Sequence, residues 1–183
     1  MDKNSPDLTL LTGSKIIDGN GGKPIENGVL LMDGDEIKAI GQRESVRIPE
    51  GVSINEIDYP GMTLLPGLVD CHVHLIGIGD GRTGDELSQV PDEVLTLQAS
   101  QNAEAHLFSG VTTVRDLGAK NKTTFMLRIA QQMGIANTPR LILSGRPIAI
   151  IGGHLSYFGT TATGAVEGRA AVRQLLGEGA DFI

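Results

Sequence analysis

Apolar and polar positions alternate along this chain in short runs punctuated by glycine. Residues 8–17, Leu-Thr-Leu-Leu-Thr-Gly-Ser-Lys-Ile-Ile, read as a strand with a break at Gly13. A turn cluster follows from Asp18 to Lys23. The apolar run 28–32, the turn Asp33-Gly34-Asp35 and the returning run Ile37 to Ile40 predict a hairpin. Residues 52–57 alternate Val-Ser-Ile-Asn-Glu-Ile, the pattern of a half-buried strand. Residues 1–61 are therefore expected to form a small all-β unit. It shows no chemistry, and an ordinary β-meander is the preferred reading for it.

From Met62 onward the period changes. An apolar strand leads to a Gly- and Asp-rich stretch, Ile76 to Val90, which reads as a long loop. Helical spacing then runs from Glu93 to Ser109 through Val94, Leu95, Leu97, Ala103 and Leu107, with Pro91 near its start and Gly110 at its end. Val111 to Leu117 is β-rich. A helix capped by Asn121 or Thr123 runs to Met133 and stops at Gly134. Pro139 to Ser144 is a further strand, Ile151 to Gly159 a Gly-rich loop, and Ala165 to Leu176 a helix ending in Gly177 and Gly179. Asp181-Phe182-Ile183 begins another apolar strand. Strand and helix alternate, which predicts a parallel sheet with crossover helices. No Gly-x-Gly-x-x-Gly turn follows the first of these strands, so a dinucleotide-binding fold has no support. The pattern alone leaves a doubly wound sheet and a barrel both open.

Composition narrows the classes. The chain has 183 residues, 40% hydrophobic and 20% charged, which suits a globular core. Net charge is −7 and the pI about 5.0, and aromatics are 3%. Neither nucleic acid nor an anionic membrane is an expected partner. The 25 glycines sit largely between the predicted elements, as tight connections require. A single cysteine, Cys71, allows no internal disulfide. Met1 to Pro6 is polar, without an apolar signal segment, and no apolar run is long enough to span a bilayer. A cytoplasmic location is the default expectation.

The candidate chemistry lies in Met62 to Leu75, Met-Thr-Leu-Leu-Pro-Gly-Leu-Val-Asp-Cys-His-Val-His-Leu. Side chains alternate along a strand, so Asp70, His72 and His74 are expected on one face and Cys71 and Val73 on the other. Two imidazoles two residues apart at the end of a buried strand look like half of a metal site. Two polar residues on an ordinary strand is the competing reading, weakened because adjacent desolvated imidazoles need a partner.

The phrase Leu65-Pro66-Gly67-Leu68-Val69-Asp70-Cys71-His72-Val73-His74 resembles the first barrel strand of the amidohydrolase superfamily of metal-dependent hydrolases, closest to its imidazolonepropionase-like and prolidase-like branch. Gly110-Val111-Thr112-Thr113-Val114-Arg115-Asp116 fits the second barrel strand. Gly179-Ala180-Asp181-Phe182-Ile183 resembles the start of the fourth, which in the family continues into a lysine, often carbamylated, that bridges two metals. The resemblance implies an α/β fold: residues 62–183 as the first half of a (β/α)8 TIM barrel, truncated at the fourth strand, preceded by a small β-sandwich segment over residues 1–61. It implies His72 and His74 as metal ligands for a divalent ion, zinc foremost, with cobalt, manganese or iron as alternatives and one or two ions per intact subunit. It implies hydrolysis of an amide-like C–N bond in a small molecule: a dipeptide, cyclic amide, carbamate or urea.

A whole barrel of this type needs about 250 residues. The chain is accordingly read as a piece of a longer hydrolase, inactive by itself, whose expected partner is the remaining half of the barrel or another copy of the chain, in a homo-oligomer. The general base, an Asp in the family, would come from a later strand and not from Asp70. A non-catalytic assembly relative is the alternative, and an inactive half-barrel needing a second chain is another.

Further candidate residues follow, the first of them from the resemblance. His154, in Gly152-Gly153-His154, is the candidate catalytic and substrate-binding histidine, set against a plain loop histidine. Tyr157 is a candidate hydrogen-bond donor to substrate, with a packed loop aromatic as the favoured reading. Arg115 is a candidate to bind a substrate carboxylate bidentately, or to form a structural ion pair with Asp116. Asp80, Arg82 and Asp85 are read as solvated loop residues, His106 as a helix-end histidine and Cys71 as a small core residue.

Overall fold

A computed structural model describes residues 8–183. The polar segment on which the absence of a signal sequence was read lies outside the described residues. The chain divides into two compact units, at Pro66/Gly67.

The first unit is built on β1 (Leu8–Ile16), flanked in sequence by β2 (Ile25–Glu26), β3 (Gly28–Asp33), β4 (Glu36–Gln42) and β5 (Ile54–Leu64). They form one five-stranded sheet in which β1 is central. It pairs antiparallel with β2 and β3 along one edge and parallel with β5 along the other. This parallel pairing is not that of a simple meander. The register shifts between Gly13 and Lys15, where the sequence predicts a break. The hairpin has a two-residue loop, Gly34-Asp35, between the paired residues Asp33 and Glu36. Gly34 takes φ +58°, so glycine leads the turn as the twist of a tight hairpin requires. Leu10, Val29, Leu31 and Val46 make a small core. Thr63 and Leu64 pair with Lys15 and Ile16, so β5 runs on past the expected boundary after residue 61.

The second unit contains β6 (Leu68–Val73), α1 (Gly84–Ser88), α2 (Asp92–Phe108), β7 (Val111–Asp116), α3 (Thr123–Gln132), β8 (Arg140–Leu143), the two-residue strands β9 (Ile148–Ala149) and β10 (Thr160–Thr161), a 3-10 turn at Ser156–Phe158, and α4 (Ala165–Glu178). β6, β7 and β8 pair in parallel, in that order, and the helices connect them. This is the crossover arrangement that the alternation predicts. After α4 no strand is assigned, but the chain turns in beside β8: the Asp181 N–H donates to the Leu143 carbonyl at 2.8 Å. The Asp181 carboxylate in turn accepts the Leu143 N–H at 2.8 Å. Arg128 pairs with the same carboxylate.

Several details differ from the sequence reading. The stretch after the first barrel strand contains α1, whose Thr83 hydroxyl and Glu86 carboxylate cap each other's backbone. That is the Ser/Thr-x-x-Glu box, legible in the sequence and passed over. Buried residues on α2 are Leu95, Ala99 and Ala103, a stripe at steps of four, whereas Val94 and Leu97 are exposed. Two alanines let α2 lie close against the sheet. Neither Asn121 nor Thr123 caps α3. Asn121 adopts φ +49° and donates to Asp92 instead, and the Thr123 hydroxyl turns back to the Lys120 carbonyl. Gly177 lies inside α4, which ends at Gly179 with φ +106°.

Glu178, at the end of α4, receives both guanidinium nitrogens of Arg146 at 2.5 and 3.0 Å. The Arg146 and Glu178 side chains are only 8% and 14% exposed. These hydrogen bonds hold the Glu178 carboxyl down to about 2. A depressed carboxyl stabilises the fold above its ordinary pKa, and that contribution fades as pH falls through the folded value. Glu178→Gln is expected to cost about 1–2 kcal/mol at pH 7. The deficit should shrink between about pH 4.5 and pH 2. Urea titrations of both proteins at pH 7 and pH 3 measure it; a deficit independent of pH would contradict the pairing.

Candidate metal centre

β6 carries the two imidazoles to its C-terminal end. Its pairing with β7 matches Asp70 to Val114 and Val73 to Asp116, so β6 holds one residue more than its partner across this step. Such a bulge re-aims side chains and disturbs strict alternation. His72 is exposed and His74 half-buried, with ring centres 5.5 Å apart and planes at 72°. Cys71 is exposed, not the core residue that alternation predicts. The bulge and the edge position of β6 account for this. Asp70 is half-buried and turns onto its own strand, where Oδ1 accepts the His72 N–H at 3.1 Å.

His74 is oriented by the loop after β7. Its Nδ1–H donates to the Gly118 carbonyl at 2.8 Å. That bond selects the tautomer in which Nε2 keeps its lone pair, the form an imidazole needs to ligate a metal. Two residues that sequence reasoning did not single out surround this arrangement. The Asp116 carboxylate is fully buried and accepts the Leu75 N–H at 2.7 Å and the Gly118 N–H at 3.1 Å. Burial pushes its pKa up, while the two backbone donors and the nearby His74 pull it down. Asn102 of α2 reaches across with its amide, donating to the Leu75 carbonyl at 2.8 Å and the Gly77 carbonyl at 2.7 Å. An Asn in the middle of a helix is a weak helix former and was the available signal for this contact.

The remaining candidates lie in other surroundings. Arg115 stacks its guanidinium 4.0 Å above the Phe182 ring. It does not pair with Asp116, whose oxygens are taken by backbone donors; adjacent strand residues point to opposite faces. Its in-plane N–H groups stay available to a carboxylate. His154 is exposed in the loop between β9 and the 3-10 turn, and no hydrogen bond or ring contact joins it to His72 or His74. Tyr157 is half-buried, packed edge-on against Phe158 and so tightly over Gly84 that a side chain there would collide with its ring. The His106 Nδ1–H donates to the Asn102 carbonyl at 2.9 Å, one turn back on α2.

The residues present fit a divalent ion as two of its ligands. Both donors are imidazoles, they sit side by side, and one has its Nδ1–H held by a backbone carbonyl, which leaves Nε2 free. Among the described residues no group of three or more His, Cys, Asp or Glu side chains gathers to complete a shell. A closed site takes three or four protein ligands, so further donors have to come from elsewhere.

Comparison with known proteins places this geometry in a family. The amidohydrolase family model matches residues 63–183. The chain belongs to the amidohydrolase family. Its parallel strands and crossover helices are the N-terminal half of that family's (β/α)8 barrel, preceded by the five-stranded sheet. An imidazolonepropionase of Agrobacterium fabrum is 24% identical over 177 residues, covering 84% of this chain and 41% of the relative. The solved structure of a Xaa-Pro dipeptidase with bound methionine superimposes with TM-score 0.80 at 29% identity, covering 95% of this chain and 45% of that one. A prolidase complexed with N-methylphosphonate-L-proline gives TM-score 0.79 at 26% identity, covering 94% and 45%. The chain thus spans less than half the length of each of these relatives.

Asn102→Asp would set a carboxylate oxygen where an N–H₂ now faces two carbonyls. It is expected to destabilise the protein by about 1–3 kcal/mol at pH 7, with partial recovery below about pH 4, where the acid form can donate again. Thermal unfolding at both pH values checks this, and an unchanged Tm at pH 7 would show that the loop after His74 does not depend on Asn102.

Proposed function

We propose that the protein to which these residues belong hydrolyses an amide-like C–N bond, using a divalent metal ion held in part by His72 and His74. One observation carries the reading: a pair of imidazoles at the C-terminal end of the first parallel strand, one of them held at Nδ1 so that Nε2 is free. Catalytic groups of barrel enzymes gather at this end of the strands. A divalent ion, when bound, acidifies water and polarises a carbonyl oxygen. Zinc is the first candidate for a site of neutral imidazoles, ahead of cobalt, manganese and iron. The family resemblance adds a carbamylated lysine on the fourth strand.

The chain's own residues supply orientation. The Gly118 carbonyl keeps His74 in its ligating tautomer. Asp70 fixes the backbone at His72. We assign His154 to substrate contact or proton transfer, because its loop follows the third strand and its ring is unengaged among the described residues. Arg115 has N–H groups left for a substrate carboxylate, and Tyr157 is a lesser candidate because its ring is already packed. The relatives include a prolidase and an imidazolonepropionase, which favours a dipeptide or a cyclic amide over a carbamate or urea.

The partner we assign is the rest of the barrel, within a homo-oligomer. The supporting feature is β6, an edge strand with Leu68 and Val69 57% and 61% exposed. Such a strand invites a further strand. We assign the protein to the cytoplasm; no described helix is long and apolar enough to cross a membrane.

In the full-length protein, His72→Ala and His74→Ala are each expected to abolish metal retention and hydrolysis together while the circular dichroism spectrum is kept. Metal analysis after gel filtration decides, and unchanged stoichiometry in both variants would refute the site. His154→Asn is expected to lower kcat or raise KM at unchanged metal content; loss of metal without a kinetic change would contradict its assignment.

A further inference from the structure

We propose that Asp116 is a positioning residue for His74: its buried carboxylate ties together the two backbone segments that set the direction and the tautomer of that imidazole. The proposal rests on the reading of His74 as a metal ligand.

The contacts form a closed circuit. One carboxylate oxygen accepts the N–H of Leu75, the residue directly after His74, at 2.7 Å. The other accepts the N–H of Gly118 at 3.1 Å. The carbonyl of the same Gly118 accepts the His74 Nδ1–H at 2.8 Å. Asp116 therefore holds the peptide that follows the ring's own residue and the N–H side of Gly118, the residue whose carbonyl grips the ring. Gly118 takes φ +153°, and a side chain there would press on Pro147, so the grip sits at a position that favours glycine.

The rest of the loop is pinned as well. The Leu117 N–H donates to the Val73 carbonyl at 3.0 Å, and the Ala119 N–H to the Gly145 carbonyl at 2.9 Å. These bonds hold the loop against β6 and the segment after β8. Among the described residues, the Asp116 carboxylate alone joins the Leu75 N–H to the Gly118 N–H. An acceptor-only group is needed, because both partners are N–H donors. Asparagine has nearly the same shape but presents an N–H₂ to one of them.

The experiment uses the full-length protein, zinc as the probe and three variants. In wild type, nitrogen-15 NMR of the metal-free protein at pH 8 should show His74 protonated on Nδ1. In Asp116→Asn this preference should weaken, and zinc affinity, measured by competition with a chromophoric chelator, should fall about 10–100-fold, as is usual for groups that orient a ligand. Asn102→Ala, which loosens the loop after His74 without touching Gly118, should leave the tautomer as in wild type. A lowered Tm in Asp116→Asn with unchanged tautomer or unchanged zinc affinity overturns the proposal, since a purely structural role would give that result. His74→Ala separates the two levels. If it loses zinc while Asp116→Asn does not, the positioning role fails and the metal site stands. If His74→Ala binds zinc like wild type, the metal reading fails and the positioning role with it. Should Asp116→Asn not fold, the wild-type spectrum decides: a ring protonated on Nε2 overturns the proposal, and one protonated on Nδ1 supports it.

Discussion

A carboxylate taken wholly out of water must find donors inside the protein, or it gives up its charge. Asp116 meets that constraint with the backbone, and the geometry at the strand ends follows from it. The donors are supplied by the residue after His74 and by Gly118. Both are loop residues with no ladder partner to satisfy them otherwise. β6 and β7 are therefore joined past the point where their pairing stops. Without that link the strand ends would keep the Leu117–Val73 and His74–Gly118 hydrogen bonds, but nothing would tie Leu75 to Gly118 through one rigid group.

Helix and sheet chemistry support the same corner from outside. Leu95, Ala99 and Ala103 seat α2 on the parallel sheet, and the small side chains bring Asn102 within reach of the loop beyond His74. Leu75 is thus held at both of its backbone groups, N–H by Asp116 and carbonyl by Asn102. On the other flank Arg146 is engaged by Glu178, so its charge is matched before it approaches the sheet ends. The charges of the described second unit are mostly spent on fixing loops. The imidazoles of His72 and His154, by contrast, make no hydrogen bond with the described residues.

Periodicity made the parallel sheet and its crossover helices legible, because buried strands and amphipathic helices leave different spacings in the sequence. Glycines marked the helix ends well: Gly110 and Gly134 adopt φ +91° and +70° where the helical spacing stops. The spacing of His72 and His74 was enough to expect two imidazoles side by side. What could not be read was the bulge between Asp70 and Val73, since an extra residue in one strand is a property of the pair and not of either sequence run. For the same reason Cys71 was assigned to the core. The roles of Asp116 and Asn102 also escaped. A buried Asp and a helical Asn look like surface residues until their backbone partners, more than 20 residues away, are brought near. The Arg115–Asp116 pair failed on a simpler ground, as neighbours on a strand face opposite ways.

On the proposed reading, the two imidazoles are this chain's share of the metal site. Two neutral nitrogens from one strand leave a divalent ion mostly hydrated, and its water only slightly more acidic than in solution. Closure of the shell by further anionic donors lowers the ion's net charge but expels water, and exclusion of water is what makes fixed dipoles effective. β6, which bears His72, is one edge of the three-stranded parallel sheet, and Asp181 lies beside β8 at the other. Ligands carried by strands added there would approach the imidazoles from across the barrel mouth. What His74 requires from its own half is a ring already turned and already in the right tautomer. A ligand left free to rotate would lose that freedom on binding, at a cost in side-chain entropy. The backbone carbonyl at Gly118 removes that cost before the ion arrives.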